Sequence, residues 1–195
     1  MKIFLLNPPT LDNKKFIREG RCTQEQGVWA TLWPPVSLTT IGAVLEQNGY
    51  EVQIMDCAAS GMTWDALGEE IKKFPPRLVL WSTGTPSIHN DLTFAAFVKK
   101  NSPTTITAVF GTHVTKLDRE CLGDHEELDC IIRHEPELTA LELAQAIQDE
   151  KPFHAITGLT FRTAGGELVA NPSRPFIEDL DQLPHPAWHL IMMSF

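Results

Sequence analysis

Five times along this chain a short apolar run closes in proline, glycine or small polar residues and gives way to a stretch with helical spacing, and that recurrence leaves few folds open. The most informative run is Arg77-Leu78-Val79-Leu80-Trp81-Ser82-Thr83-Gly84-Thr85-Pro86-Ser87. The others are Lys2 to Leu6 ahead of Asn7-Pro8-Pro9, Glu51 to Asp56, Thr105 to Phe110 and Leu128 to Arg133. Runs that are continuously apolar, not alternating, belong to strands covered on both faces. Between them, Ile41, Val44 and Leu45 follow Pro34-Pro35, Trp64, Leu67, Ile71 and Phe74 follow Thr63, Leu92, Phe94, Phe97 and Val98 follow the 77–87 run, and Leu138, Leu141, Ala144 and Ile147 close the series. Strand-then-helix units in a row predict a parallel sheet with right-handed crossovers. The fold class is therefore α/β, a doubly wound five-stranded parallel sheet of Rossmann-like or flavodoxin-like type.

After Lys151-Pro152 the period changes to two. Gly158 to Arg162 and Glu167 to Ala170 flank Ala164-Gly165-Gly166 and predict a β-hairpin. From Asn171 the chain is rich in proline and carries Glu178-Asp179-Leu180-Asp181, the composition of an extended tail or linker. This divides the chain into an α/β domain over 1–150, a hairpin appendage over 151–172 and a connector over 173–195. The apolar Ile191-Met192-Met193 so near Phe195 suggests a piece cut from a longer protein. Between Pro9 and Trp33 lies a polar segment with Gly20 and Gly27 that is too long for an idle turn.

A net charge of −9 over 195 residues argues against a nucleic-acid partner, which calls for a basic footprint. No run reaches the roughly 18 apolar residues of a membrane span, and Met1 to Leu6 lacks the cleavage pattern of a signal peptide. Cys22, Cys57, Cys121 and Cys130 form no Cys-x-x-Cys pair, so a structural zinc site and a disulfide framework are disfavoured and reduced cytoplasmic thiols are expected.

If the strands are parallel, Asn7-Pro8, Asp56, Ser82 to Ser87, Gly111-Thr112-His113 and Arg133 to Glu137 meet at one edge. Open α/β sheets bind ligands there. Glycine lets backbone come close to a ligand and hydroxyls offer uncharged hydrogen bonds. Ser87 and Thr115 also read as plain helix caps. The turn after the first strand has no glycine, which disfavours a dinucleotide or Walker-type phosphate site. A metal cluster of His113, His134, Glu135 and Glu137 and a nucleophilic Cys57 are further candidates, against which stand the simpler readings of solvated turn residues and a buried thiol.

These motifs resemble the N-terminal cobalamin-binding domains of cobalamin-dependent radical S-adenosylmethionine enzymes. The resemblance runs from Met1 to about Trp188 and is carried by Leu6-Asn7-Pro8-Pro9, Pro34-Pro35-Val36-Ser37-Leu38, Gly111-Thr112-His113, Arg133-His134-Glu135-Pro136-Glu137 and the tail from Ile177 to Trp188. Within that family the chain is similar to the anaerobic magnesium-protoporphyrin IX monomethyl ester oxidative cyclase group. The resemblance implies cobalamin at the carboxyl edge, with Asn7, Pro8, Ser82, Thr83, Gly84, Thr85, Gly111, Thr112, His113, Arg133, Glu135 and Glu137 as cofactor-binding residues and Ser82 at the nucleotide base. Phe110 stands where relatives usually place a glycine, and His134 and Pro136 replace two more. The Asp-x-His-x-x-Gly motif that ligates cobalt from below in methionine-synthase-type domains is absent, so no metal-ligating residue is assigned.

The resemblance further implies a cyclase or methyltransferase whose C-terminal radical domain is the partner of this one. S-adenosylmethionine and the [4Fe-4S] cluster are expected only in that part, because no cysteines here have Cys-x-x-x-Cys-x-x-Cys spacing. No catalytic residue is assigned to this chain, whose role is to position the corrin. Two other readings stay open: an interaction domain that kept the fold without the cofactor, using the segment around Trp29 and Trp33, and a small metal- or Cys57-dependent hydrolase.

Overall fold

The computed structural model describes residues 1–10 and 33–191 in full and the backbone of residues 16–17 and 24–25. Its elements are β1 (Lys2–Asn7), β2 (Phe16–Ile17), β3 (Gln24–Glu25), α1 (Val36–Gln47), β4 (Glu51–Asp56), α2 (Cys57–Ser60), α3 (Trp64–Lys73), β5 (Leu78–Ser82), α4 (Ile88–Asn101), β6 (Ile106–Phe110), α5 (Thr112–Lys116), α6 (Asp118–Gly123), β7 (Cys130–Ile132), α7 (Glu137–Gln148), β8 (Leu159–Arg162) and β9 (Leu168–Ala170). Trp29, Cys22 and Met192-Met193 lie outside the described residues.

Local chemistry sets the helix ends. The Thr63 hydroxyl accepts from Ala66 N at 3.3 Å, and α3 carries Asp65 in its first turn and Lys72 and Lys73 in its last, each matched to the helix dipole. Pro35 is the N-cap of α1, one place before the expected first helical position, and α1 stops at Gly49, whose φ of +82° suits glycine. Two sequence expectations are corrected. Ser87 precedes α4 without capping it, because its hydroxyl donates to Asp91 at 2.6 Å; Thr115 sits inside α5 and accepts from His134 N at 3.1 Å.

The main sheet has the order β4-β1-β5-β6-β7-β8-β9. The first five are parallel, and their order is the flavodoxin-like one, with the chain reversing direction of growth between β1 and β5. The predicted hairpin does not stand apart: β8 pairs antiparallel with β7, in the register Cys130 with Phe161, so the hairpin continues the sheet. A separate two-stranded ribbon, β2 with β3, places Gln24–Glu25 beside the turn at Thr85–Ser87.

Alternation along the strands splits the core in two. Ile3, Leu5, Ile54, Leu78, Leu80, Ala108 and Phe110 face α1 and α7, whereas Phe4, Leu6, Met55, Val79, Trp81 and Val109 face α3, α4, α5 and α6. Both faces of the sheet are thus covered, as the unbroken apolar runs require. Trp81 is fully buried, edge-on to Phe94 at 5.2 Å, a pair worth about 0.5–1.5 kcal/mol beyond its buried area.

The tail crosses the α1 and α7 face. Asn171 anchors it by donating to the carbonyls of Phe153 and Ile156; Arg174 Nε then donates to Thr139, and Ile177 N to the Glu135 carboxylate at 2.7 Å. Further on, Ala187 N donates to Thr39 O in α1, Leu190 lies against Gly42, and Ile191 bridges Ile54 on the outer edge of β4. No helix among the described residues is long and apolar enough to cross a membrane.

Candidate functional site

The reversal in strand order puts the topological crevice, where open α/β sheets bind their ligands, between the ends of β1 and β5. The helix after β1 goes to one face of the sheet and the helix after β5 to the other. The last residues of the strands form a row on the α1 and α7 face: Asp56 pairs in register with Asn7, Leu6 with Trp81, Ser82 with Phe110 and Phe110 with Ile132. The row reads Asp56, Asn7, Ser82, Phe110, Ile132, polar at the β4 end and apolar at the β7 end.

Its polar half is one hydrogen-bonded chain. Ser82 Oγ donates to Asn7 Oδ1 at 2.5 Å, and Asn7 Nδ2 donates to Asp56 Oδ2 at 3.3 Å. Asp56 is also the N-cap of α2, its Oδ1 accepting from Ala59 N at 3.1 Å. Behind it the loop after β5 is tied to α4, where Thr83 Oγ1 and Ser87 Oγ both donate to Asp91 Oδ2, at 2.9 and 2.6 Å. Asn90 Nδ2 reaches Asp91 Oδ1 at 3.2 Å and also the Pro9 carbonyl, while Trp64 Nε1 donates to Thr10 O; the loop leaving β1 is held between α3 and α4.

Gly111 closes the other side. With φ of +147° it lies so near β5 that a β-carbon would stand 2.1 Å from Thr83 O, and Thr83 N donates to Phe110 O at 2.9 Å. The ends of β5 and β6 are pinched together, which only glycine permits. One step on, His113 Nδ1 and Thr85 Oγ1 are 3.2 Å apart and link the two loops at the surface.

The residues expected to bind cofactor therefore fall into two groups. Asn7, Pro8, Ser82, Thr83, Gly84, Thr85, Gly111, Thr112 and His113 gather at or beside the crevice, the first five buried. Arg133 and Glu135 are directed to the tail and hairpin instead: Arg133 Nη2 donates to Asn171 O and Glu135 accepts from Ile177 N. Glu137 opens α7, and its carboxyl is raised above the usual range by burial, against the pull of a backbone hydrogen bond and with a push from Glu135. Phe110 takes its place in the core under α1 and α7, beside Ser82.

Sequence reasoning missed Asp91. Its signal was a carboxylate in phase with Ile88, Leu92 and Ala95 on the buried face of α4. The metal cluster of His113, His134, Glu135 and Glu137 does not assemble, since His113 meets Thr85, His134 meets the Phe176 ring, and no group of three or more ligating side chains occurs among the described residues. Cys57 is buried with its sulfur 3.8 Å from Met62 Sδ, which fits a packing residue.

A model of the family described as "B12 binding domain" matches residues 27–144, more than half of the chain, from just before α1 into α7. The chain belongs to the B12 binding domain family. Among curated relatives, this B12 binding domain is 28% identical over its whole length to an uncharacterized methyltransferase of Pyrococcus horikoshii, covering 39% of that protein. It is 29% identical over 82% of its length to the anaerobic magnesium-protoporphyrin IX monomethyl ester cyclase of Rubrivivax gelatinosus, covering 29% of it. Among solved structures, the cobalamin-dependent S-adenosylmethionine radical enzyme OxsB, with aqua-cobalamin and S-adenosylmethionine bound, superimposes with a TM-score of 0.70 at 16% identity, over 95% of this chain and 24% of that one. The radical S-adenosylmethionine methyltransferase TsrM of Kitasatospora setae, with cobalamin and a [4Fe-4S] cluster bound, gives 0.67 at 16% identity over 94% of this chain and 31% of that one. The B12 binding domain thus spans between about a quarter and two-fifths of the length of these proteins, and it shares the fold of the two solved structures.

Proposed function

We propose that this domain holds a cobalamin over the carboxyl edge of its sheet, at the crevice between β1 and β5, as the cofactor-carrying part of a radical S-adenosylmethionine methyltransferase or cyclase working in the cytoplasm. The observation that carries the reading is the row at the strand ends, set at the switch in strand order within a chain of the B12 binding domain family. The residues present suit the group. Asn7, Ser82 and Thr83 supply uncharged hydrogen-bonding atoms, Gly111 keeps side-chain bulk out of the pinch between β5 and β6, and the row passes from polar to apolar at Phe110, as a heterocyclic base with a polar and an apolar edge requires. Cobalamin supplies the cobalt chemistry of such enzymes. The chain's residues bind and orient it and keep water from its buried side.

The iron–sulfur cluster and S-adenosylmethionine belong, on this reading, to a further domain, as no Cys-x-x-x-Cys-x-x-Cys spacing occurs in this sequence. The test is titration with hydroxocobalamin followed by gel filtration. Corrin absorbance is expected to travel with the protein. Loss of all corrin from both the wild type and Phe110→Gly, the variant that opens the row, overturns the reading.

One observation favours a second reading. The side chains of Asn7, Ser82 and Thr83 are buried and already paired with protein atoms, as they would be in a doubly wound interaction domain with no cofactor. That domain shows no corrin spectrum with either protein.

A further inference from the structure

The two edges of the main sheet are finished differently. β4 is met at Ile54 by Ile191, whereas β9 ends the sheet at the other side with no strand beyond it. In an antiparallel pair only every second residue exchanges backbone bonds with the strand opposite, and the residues between turn theirs away. Between β8 and β9, Thr163 N donates to Glu167 O and Asn171 N to Leu159 O, and Phe161 faces Val169 midway between those pairs. Leu168 and Ala170 therefore turn their N–H and C=O groups outward, and neither has a backbone partner on that side among the described residues. Nothing guards this edge. Edge strands are commonly blunted by a charge, a proline or a bulge. Leu168-Val169-Ala170 has no charge and no proline, pairs with β8 without a bulge, and is only half-buried.

We propose that the free edge of β9 pairs antiparallel with β9 of a second copy of this chain, about a two-fold axis at Val169, in a weak and reversible dimer. The outward groups complement themselves under that axis. Leu168 of each copy meets Ala170 of the other, so each supplies the donor and the acceptor that the other lacks, and a bulky side chain lies beside a small one. Val169 meets its own counterpart on the opposite face. The charges agree as well: Glu167, the nearest ionised group in the strand's sequence, falls opposite Asn171, so like charges do not stand directly across from each other. A contact confined to one short strand from each copy lies at the small end of specific interfaces, and a dissociation constant of about 10–100 µM is expected. The axis stands perpendicular to the sheet, so the carboxyl edges of the two copies open in opposite directions. Both crevices stay free, and the dimer holds or fails independently of the cobalamin reading.

Sedimentation equilibrium of the full chain over about 2–200 µM should show weight-average mass rising from monomer toward dimer. Ala170→Pro removes an outward N–H and no bond to β8, so it should keep the chain monomeric over that range with its melting temperature at low concentration unchanged. Register is read by cysteine. Val169→Cys, made with Cys22→Ser so that the remaining native cysteines are the buried ones, brings a thiol against its own counterpart and should give a disulfide-linked dimer with oxidised glutathione as the electron acceptor. Glu167→Cys in the same background falls opposite Asn171 and should not. A chain that is monomeric at every concentration, which would leave the edge to a strand of another protein, overturns the proposal. So does a dimer that survives Ala170→Pro, or equal cross-linking of the two cysteine variants.

Discussion

A β-carbon on Gly111 would lie 2.1 Å from the carbonyl oxygen of Thr83. No real contact is that short, so Gly111→Ala must part the ends of β5 and β6 or twist a φ of +147° into a region alanine tolerates. The variant is expected to lose about 2–4 kcal/mol in urea unfolding and to lose corrin retention more completely than its stability loss accounts for. Wild-type stability in Gly111→Ala would contradict the close approach.

The chain from Ser82 through Asn7 to Asp56 makes a prediction about pairs. Asn7→Leu leaves the Ser82 hydroxyl and one Asp56 oxygen buried without their partner and should cost about 2–4 kcal/mol. Adding Ser82→Ala removes one stranded group. The double variant is expected to be no less stable than Asn7→Leu alone in the same urea assay, whereas independent sites would add.

Glu137 gives a pH signature. Its carboxyl is raised by burial, opposed by a backbone hydrogen bond and helped by Glu135, so its contribution favours folding fully below the ordinary carboxyl pKa of about 4.3 and is lost as pH rises through the raised value. Glu137→Gln should therefore melt above the wild type near pH 7. The two should converge at about pH 4 in thermal scans.

The described cysteines should be inert in the native state. Burial is the first cause raising both Cys121 and Cys130, joined at Cys121 by Asp124, Glu120 and Asp118 and at Cys130 by Asp129, with Lys99 acting the other way. Alkylation followed by peptide mapping should find Cys57, Cys121 and Cys130 unmodified until denaturant is added, with no increase at Cys130 through about pH 8.5, where an ordinary thiol ionises.

Glu135 secures the tail by one strong bond to Ile177 N. Glu135→Ala should release the stretch around Phe176, which packs on His134 and is otherwise exposed. Limited proteolysis between residues 173 and 187 is expected to quicken about five-fold, the effect of a net loss of about 1 kcal/mol, with the rest of the chain unaffected.

The parallel strands and most helices were legible because each of those five strands is covered on both faces and must be apolar without interruption. Thr63 announced α3, and Gly165-Gly166 announced the hairpin turn, by chemistry confined to a few neighbouring residues. That the hairpin would join β7 was not legible, since sheet order depends on edges that no local pattern names. The same holds inside the site. Ser82 and Gly111 marked the ends of their strands, but the glycine's partner proved to be the Thr83 carbonyl, a consequence of strand register. Arg133 and Glu135 carried a motif that pointed to the crevice, and the tail's path across α7 claimed both side chains.

The bridge between Ile54 and Ile191 bears on synthesis as well as on form. β4 is the sheet's outermost parallel strand, yet its free edge is met by a residue that the chain supplies only after every other strand of the sheet. A nascent chain lacking that residue presents an open strand to its neighbours. Closing this edge is therefore a late event, and the exposed strand during that interval is where a folding helper would act.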